Sequence, residues 1–245
     1  MSFTPRIFWD QDTNSPLGSG EHNEMSAAIF HYLFVVLRLK SGDEVLLFNE
    51  RDGEWSAIIH QTAKNKSNFK VKYQIRKPLK IKGPTLVLSP LKKSAMDISI
   101  RMATELGVQC IQPIQMLRTN SHYIKEERFR SIAIEAAEQS GRLSVPEIKP
   151  LASLSKFCEN WPRNKTLWVA VERFKDKQHN IDSNSENYCA DDGILIGPEG
   201  GFDPHELQKL LLYPFIRPFS LGNLILKAET AVVVSLARWF PFVSA

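Results

Sequence analysis

The segment at residues 194–206, ILIGPEGGFDPHE, constrains the fold of this chain more than any other part of the sequence. It begins with an apolar run that predicts a short buried strand, and the strand leads straight into a turn that contains Gly197, Gly200 and Gly201. Glycine at these positions allows positive φ angles and a close approach of the backbone to a ligand. The segment therefore predicts a strand that ends at a glycine-rich loop.

The residues after this loop predict the start of a helix. Asp203 is a typical N-cap, Pro204 is favoured at the first helical position, and Glu206 is placed to complete a capping box. A strand, a glycine turn and a helix start in this order often form a ligand site in open α/β sheets, because unbonded backbone N–H groups converge there.

The loop does not match a phosphate-binding loop, which would carry a lysine and a serine or threonine after its glycines. Its central side chain is Glu199, a carboxylate that would repel a triphosphate. A ligand with hydroxyl groups, an amine or a positive charge fits better, and S-adenosylmethionine has all three. The alternative is a tight turn between a strand and a capped helix, with no ligand.

A second segment, residues 221–231 with the sequence LGNLILKAETA, also places a glycine-bearing loop before a predicted helix. GPEGG followed by LG-x-x-IL-[RK]-x-ETA resembles the C-terminal half of the RsmE family. Two further motifs of that family are present in the same order, TELGV at residues 104–108 and EAAEQSGR at residues 135–142. The resemblance extends from about Arg6 to the C-terminus.

This resemblance implies a fold and an activity. RsmE proteins are bacterial enzymes of the SPOUT class that use S-adenosylmethionine to methylate N3 of a uridine in the 16S ribosomal RNA of the small subunit. The implied α/β architecture is a PUA-like RNA-binding β-barrel followed by a SPOUT domain, which has a parallel sheet, helices on both faces and a trefoil knot. A homodimer is also implied. The alternatives are methylation of another RNA position, such as a ribose 2′-O or a tRNA base, and a non-catalytic RNA-binding assembly factor.

Hydrophobic patterning agrees with two domains, for which 245 residues are sufficient. Residues 1–74 predict a β-rich domain with a hairpin turn at residues 51–53 and a helix near residues 23–39. Residues 75–84 contain two prolines and several cations, which is typical of a linker. In residues 85–245, strands alternate with helices, which predicts the parallel sheet. The predicted strands there are 85–88, 108–114, 166–171 and 194–196, and the predicted helices are 97–106, 125–140, 153–161, 203–213 and 229–242.

The charge distribution predicts contact with a polyanion. Between Trp55 and Met96 the sequence contains ten basic residues and no acidic one, which is the electrostatic pattern of an RNA-binding surface. The alternative is a solvated strand face joined to a charged linker. Combined with the resemblance, the charge pattern gives these candidate RNA-contacting residues: Arg6, His31, Arg38, Lys64, Lys66, Lys70, Lys72 and Lys227.

The resemblance also implies the donor site, formed chiefly by the backbone of three loops. The expected cofactor-binding residues are Val171, Glu172, Gly197, Pro198, Glu199, Gly200, Gly201, Leu221, Gly222, Leu224 and Leu226. Uracil N3 carries a proton, so a group must accept that proton or stabilise the uracil anion. The catalytic candidates are Arg118, Arg142 and Glu229, although Glu229 and Arg142 could instead complement helix dipoles.

Two residues depart from the family pattern. Lys227 and Asn223 occupy positions where the family usually has arginine. Lysine keeps the charge of arginine but lacks its planar fork, so a bidentate contact from position 227 is not expected.

Other features of the sequence predict a reduced cytoplasmic protein that needs no metal. The three cysteines have neither disulfide nor metal-ligand spacing, and the first residues do not resemble a signal peptide. The longest apolar run is interrupted by Arg238 and Pro241, so no membrane span is expected.

Overall fold

The computed structural model describes residues 4–10, 12–63, 66–80, 82–121, 124–171 and 189–239. Contacts between residues divide the chain into two compact units. The first comprises Met1–Lys80 and Ala137–Ser144, and the second comprises Ile81–Ala136 and Val145–Ala245. The sequence did not indicate that residues 137–144 belong with the first unit.

The first unit contains a five-stranded sheet around an apolar core, and its PUA-like character was predicted. The strand order is β1-β3-β4-β5-β2, in which β1 is parallel to β3 and the other pairs are antiparallel. Leu33, Leu47, Ile59 and Phe69 are fully buried in the core. The elements are β1 (Arg6–Phe8), β2 (His22–Glu24), α1 (Ala27–Phe30), a π-helical segment (His31–Val36), β3 (Glu44–Asn49), β4 (Gly53–Ala63) and β5 (Lys66–Arg76).

The predicted hairpin in this unit is confirmed. β3 and β4 are antiparallel, and Gly53 has a φ of +82°. The predicted burial of one face of β5 holds for Phe69 and Val71, but Tyr73 is exposed because β5 continues past the apolar core. The helix predicted over residues 23–39 is wrong in extent, since that range begins in β2, the α-helix covers only Ala27–Phe30, and a π-helical segment follows it to Val36.

The second unit is built on the predicted parallel sheet, with strand order β12-β10-β11-β6-β7-β8, and the short β9 also pairs with β7. Every one of these pairings is parallel. The strands are β6 (Thr85–Leu88), β7 (Cys110–Gln115), β8 (Glu147–Ile148), β9 (Ala152–Ser153), β10 (Leu167–Ala170), β11 (Gly193–Ile196) and β12 (Ile216–Phe219). The helices are α2 (Lys93–Glu105), α3 (Glu126–Ser140), α4 (Leu154–Asn160), α5 (Pro204–Leu210) and α6 (Ala228–Trp239).

Strand β11 is buried on both faces, so it contributes to two cores. Ile194 and Ile196 belong to a cluster with residues of α2, α3 and α6, whereas Leu195 belongs to a cluster with residues of α4 and α5. This division follows from the two-residue repeat of a strand, which points successive side chains to opposite faces. The predicted helices therefore cover both faces of the sheet.

The bounds of the elements differ from the sequence predictions in a few places. α2 begins at Lys93 instead of residue 97, and α5 ends at Leu210 instead of residue 213. β12, a four-residue strand that contains Pro218, is absent from the strands predicted from the sequence. Proline is tolerated there because β12 is an edge strand. Residues 240–242 of the last predicted helix lie outside the described residues. None of the helices within the described ranges is long and apolar enough to cross a membrane.

Arg6 in β1 holds the last turn of α3. Its Nη1 donates to the carbonyls of Ala137 and Glu138, both at 2.8 Å, and its Nη2 donates to the carbonyl of Arg142 at 3.0 Å. Its Nε donates to Oε1 of Glu54 at 2.7 Å. A guanidinium here satisfies carbonyls that the end of a helix leaves unpaired, and its charge complements the helix dipole.

Glu54 also accepts two hydrogen bonds from Arg76, at 2.7 and 2.9 Å. Burial alone would raise the pKa of the Glu54 carboxyl, but the hydrogen bonds and charges of Arg76 and Arg6 outweigh burial and hold the pKa below its ordinary value. The ionised carboxylate therefore stabilises the fold above the ordinary pKa of 4.5, and this contribution is lost as the pH falls through the folded-state pKa.

We expect Glu54→Gln to lower the free energy of unfolding at pH 7 by about 3 kcal/mol, the low end for a buried ion pair because Arg76 is partly exposed. The difference from the wild type should shrink as the pH falls below 4.5. Urea unfolding at several pH values measures both effects. Glu147→Gln, in the exposed pair with Lys149, is the control and should change stability by no more than about 0.5 kcal/mol. Equal losses in the two variants would contradict the assignment.

Candidate functional site

The parallel sheet brings both predicted glycine loops to one edge. The carboxyl ends of β6, β10, β11 and β12 lie at the same edge because all these strands are parallel. Leu88 pairs with Ile196, so Ser89 and Gly197 leave the sheet next to each other. In open α/β sheets, ligands bind outside the carboxyl ends of the strands. The loops at 197–203 and 220–227 therefore occupy the expected position of a ligand site.

The loop after β11 has an open backbone. Gly201 has a φ of +69°, and its N–H donates to the carbonyl of Pro198 at 2.8 Å, which closes a turn. A Cβ atom on Gly201 would have no atom within 4 Å, and one on Gly200 would meet only Arg118 at 3.6 Å. A Cβ on Gly197 would lie 2.8 Å from the ring of Phe202, so glycine is required there for packing. Gly200 and Gly201 thus leave space next to the backbone, whereas Gly197 does not.

The loop after β12 is held at one end and exposed at its centre. Ser220 Oγ donates to the carbonyl of Gly222 and accepts from its N–H, both at 3.2 Å, and Gly222 has a φ of +119°. Leu221 and Leu226 pack against the core, while Leu224 is 80% exposed. The loop therefore presents an apolar side chain and a glycine backbone at the carboxyl edge.

A third loop, after β7, is fastened to the glycine loop. Arg118 Nη1 donates to the carbonyl of Gly200 at 3.4 Å, and Nη2 lies 3.7 Å from Oδ2 of Asp203. The N–H of Leu117 donates to the carboxylate of Glu206 at 3.1 and 3.3 Å. These contacts place the catalytic candidate Arg118 beside the predicted donor loop.

Buried hydroxyl groups tie the same loop to the end of β6. Ser89 Oγ and Thr119 Oγ1 are 2.7 Å apart, and Thr119 Oγ1 accepts from the N–H of Met116 at 3.0 Å. The N–H of Ser89 donates to the carbonyl of Ile196 at 3.2 Å. The loops after β6, β7 and β11 are therefore connected by hydrogen bonds to one another.

The predicted helix start at α5 is confirmed in part. Asp203 is the N-cap, accepts from the N–H groups of His205 and Glu206, and is followed by Pro204 in the first turn. The predicted capping box is wrong, because the carboxylate of Glu206 turns to Leu117 instead. Burial raises the pKa of Glu206, the hydrogen bond from Leu117 opposes this, and the charge of Asp203 adds to it. Sequence patterns contain no signal for a partner 89 residues away.

The other candidates in this unit lie at the same edge. Val171 is buried directly after β10, and Glu172 lies outside the described residues. Lys227 is exposed, and its carbonyl accepts the N–H of Ala231 at 2.8 Å as α6 begins. Glu229 is half-buried in the first turn of α6, as its alternative structural role predicts. Among residues in the described ranges, no group of three or more His, Cys, Asp or Glu could hold a metal ion.

Two of the candidate arginines are engaged within the first unit. Arg6 donates to Glu54 and to the last turn of α3. Burial lowers the pKa of Arg142 to about 10, with Glu50 partly opposing it, and its Nη2 donates to Ser144 Oγ at 3.0 Å. Their roles in RNA binding and catalysis remain predictions, and these contacts favour a structural role for both.

The remaining RNA-contact candidates of the first unit are on its surface. Lys66, Lys70 and Lys72 are exposed along β5, and Lys64 lies outside the described residues. His31 is exposed at the start of the π-helical segment, and Arg38 is exposed with a φ of 57°.

Comparison with known proteins identifies relatives of both units. Residues 77–239 match a family described as RNA methyltransferase domain, and residues 26–72 match one described as RNA methyltransferase PUA domain. The chain is 35% identical over 208 residues to the ribosomal RNA small subunit methyltransferase E of Rickettsia conorii, covering 85% of this chain and 84% of that protein.

Solved structures show the same fold. A putative methyltransferase from Legionella pneumophila, solved with bound S-adenosylmethionine, gives a TM-score of 0.85 at 24% identity. A ribosomal RNA small subunit methyltransferase E from Neisseria gonorrhoeae, also bound to S-adenosylmethionine, gives a TM-score of 0.84 at 23% identity. Each alignment covers 98% of both chains.

We expect Gly201→Ala to lower the free energy of unfolding by about 1–2 kcal/mol, because a side chain disfavours the positive φ of +69°. Gly200→Ala is the matched control and should be nearly neutral, since its Cβ would make only ordinary contacts. Gly201→Asn should recover part of the loss, because asparagine tolerates this conformation. Urea unfolding of the three variants measures the effect. Equal stability of Gly200→Ala and Gly201→Ala would contradict the predicted strain at position 201.

Proposed function

Because the chain belongs to the ribosomal RNA small subunit methyltransferase E family, we propose that it transfers a methyl group from S-adenosylmethionine to N3 of a uridine in 16S ribosomal RNA. The observation that carries the proposal is the convergence of the loops at 197–203 and 220–227 on one edge of the parallel sheet. Both loops contain glycine in a left-handed conformation, Gly201 and Gly222.

The residues at this edge suit S-adenosylmethionine. Gly200, Gly201 and Gly222 leave the backbone open to a ligand, and the exposed Leu224 offers an apolar surface for adenine. Glu199 is exposed, so its carboxylate can accept hydrogen bonds from ribose hydroxyls. The bound donor supplies a methyl group activated by a sulfonium. The loops hold the donor so that the methyl carbon and the acceptor nitrogen are aligned.

The acceptor requires a charged group, because uracil N3 carries a proton and its lone pair is delocalised. Methyl transfer breaks the carbon–sulfur bond of the donor, forms a bond to N3 and releases the N3 proton. Arg118 supplies positive charge beside the glycine loop, where it can stabilise the uracil anion. Glu229, at the end of the loop after β12, is the candidate carboxylate for accepting the proton.

The first unit supplies RNA affinity in this proposal. Lys66, Lys70 and Lys72 are exposed along β5, in a region largely within the PUA match at residues 26–72. Lysines in such a row neutralise phosphates and release counterions, which gives affinity without sequence preference. Selection of the nucleotide then depends on the second unit.

The family relationship supports three further parts of the proposal. The C-terminal half forms a trefoil knot, two copies of the chain form a homodimer, and the protein acts in the cytoplasm on the small ribosomal subunit.

The first prediction from this function is methyl transfer from labelled S-adenosylmethionine to small ribosomal subunits purified from a strain that lacks the activity. We expect the label as 3-methyluridine after nuclease digestion and mass spectrometry. Gly200→Arg should abolish donor binding in calorimetry because a long side chain would fill the open loop, whereas Gly200→Ala should bind normally. Label at another position would indicate a different acceptor. The absence of both donor binding and label would favour a non-catalytic RNA-binding factor.

The second prediction concerns salt dependence. Replacing Lys66, Lys70 and Lys72 by glutamate should weaken RNA binding and make the plot of log affinity against log salt concentration less steep, because fewer counterions are released. Donor affinity, measured by calorimetry, should not change. The matched control replaces Lys156 and Lys209, which are exposed on α4 and α5, by glutamate. An unchanged salt slope in the β5 variant would contradict a role for these lysines.

A further inference from the structure

The second unit contains a cavity of about 200 Å³ where α2 and α3 begin. Leu91, Met96 and Phe129 line it and are nearly fully buried. Lys93 and Arg128 line its charged part. We propose that this cavity receives the uracil base of the acceptor nucleotide after the base has been turned out of the RNA. This inference rests on the proposed function and assigns the acceptor position within it.

The position of the cavity follows from the hydrogen bonds at the sheet edge. Pro90 lines the cavity and directly follows Ser89, whose N–H bonds to the carbonyl of Ile196. Because neighbouring strands are about 4.8 Å apart and successive Cα atoms 3.8 Å apart, Pro90 lies within about 10 Å of Gly197. Ser121 also lines the cavity and is two residues from Thr119, the partner of Ser89. The cavity is therefore next to the proposed donor loop.

The described residues that line the cavity come from 90–97 and 121–129, and the donor loops at 197–203 and 220–227 contribute none. The cavity thus adjoins the donor site and is separate from it. Methyl transfer needs two such adjacent positions, one for the donor and one for the acceptor, held in line.

The size and lining of the cavity suit a single base. A volume of about 200 Å³ is below the range of roughly 300–1,000 Å³ that holds drug-sized ligands. Enzymes that modify bases receive them in pockets where apolar and aromatic side chains contact the ring. Leu91, Met96 and Phe129 provide apolar surface of this kind, and Phe129 supplies an aromatic ring.

The charged part of the cavity suits a nucleotide that becomes an anion. Arg128 is held by a two-point contact with Asp97, in which Nε donates to Oδ1 at 3.1 Å and Nη2 donates to Oδ2. This pair leaves Nη1 of Arg128 outside the contact. The hydrogen bond from Arg128 lowers the pKa of Asp97, so the carboxylate stays ionised and keeps the guanidinium in place. Lys93 and Lys125 also line the cavity, so its lining carries more positive than negative charge although Asp97 offsets Arg128. Positive charge at this point would stabilise the uracil anion and the flanking phosphates.

The start of α2 adds to this charge. The N-cap position is Lys92, which makes no side-chain capping bond, and the first turn contains no acidic residue. The unpaired N–H groups of a helix start carry partial positive charge. Lys93 adds a full charge at the same place.

The first test fills the cavity. We expect Met96→Trp to lower methyl transfer to small ribosomal subunits by about 100-fold, the size of effect that a misplaced acceptor produces. Donor affinity by calorimetry should stay within about twofold, since the donor loops are not altered. Normal methyl transfer by a folded Met96→Trp variant would overturn the proposal, and so would a parallel loss of donor affinity.

A second variant avoids the core and remains informative if Met96→Trp does not fold. Arg128→Gln should lower kcat by about 100-fold, with little change in donor affinity, because it removes charge next to the reacting base. Arg101→Gln, at an exposed position of α2 that does not line the cavity, is the matched control and should retain activity. Equal activities of the two variants would overturn the assignment of Arg128.

A crosslinking experiment locates the base directly. An RNA fragment with 4-thiouridine at the methylated position is bound to the wild-type protein and irradiated, and the attached peptide is identified by mass spectrometry. We expect attachment within residues 90–97, at Ser121 or within residues 124–129. Attachment elsewhere would overturn the cavity assignment while leaving the methyl-transfer activity intact. Absence of methyl transfer by the wild type would overturn the proposed function and this inference together.

Discussion

The parallel pairing of β11 between β10 and β6 is the constraint on which the second unit depends. Both faces of β11 are buried, so its residues can only be apolar or glycine, and helices must cover both sides of the sheet. Parallel pairing also sends the chain out of every strand at the same edge. The donor loops and the cavity wall at Pro90 lie at this edge as a direct result. The direction of the strands, and not a particular side chain, therefore places the donor loops and the cavity at this edge.

Long-range hydrogen bonds then give this edge a defined shape. Glu206 holds the N–H of Leu117, Arg118 contacts the carbonyl of Gly200, and a buried pair of hydroxyls joins Ser89 to Thr119. The Ser89–Thr119 pair is buried, and buried polar groups are costly unless they are paired, so this contact keeps the loops after β6 and β7 together. The hydrogen bonds of Glu206 and Arg118 are exposed and add links to the glycine loop and α5 at the surface. A glycine loop is conformationally free by itself, and this network limits that freedom without filling the space beside the glycines. The proposed acceptor cavity is built from the continuation of the same bonded segments.

The first unit depends on a different interaction, the contact of Arg6 with Glu54 and the last turn of α3. One guanidinium neutralises a buried carboxylate and satisfies helix carbonyls, so residues 137–144 are held within this unit. The EAAEQSGR motif is part of this arrangement. A motif that matches a family of RNA methyltransferases can therefore contain residues whose observed contacts are structural, and Arg142 is an example.

The sequence alone determined the local elements and the class of the fold. Apolar periodicity and the Asp203 cap are properties of neighbouring residues, so they predicted the strand of β11 and the start of α5. The alternation of strands and helices predicted the parallel sheet, and the order of strand, glycine turn and helix start predicted a ligand site at the loop after β11.

Tertiary structure decided what depends on residues far apart in the chain. The partner of Glu206, the role of Arg6 and the walls of the cavity each join segments that sequence patterns do not connect. The edge strand β12 was missed for the same reason, because pairing with β10 stabilises four residues that have no strong strand pattern. Short-range propensities are small compared with the free energy of burial and pairing, so these features are set by the packed structure.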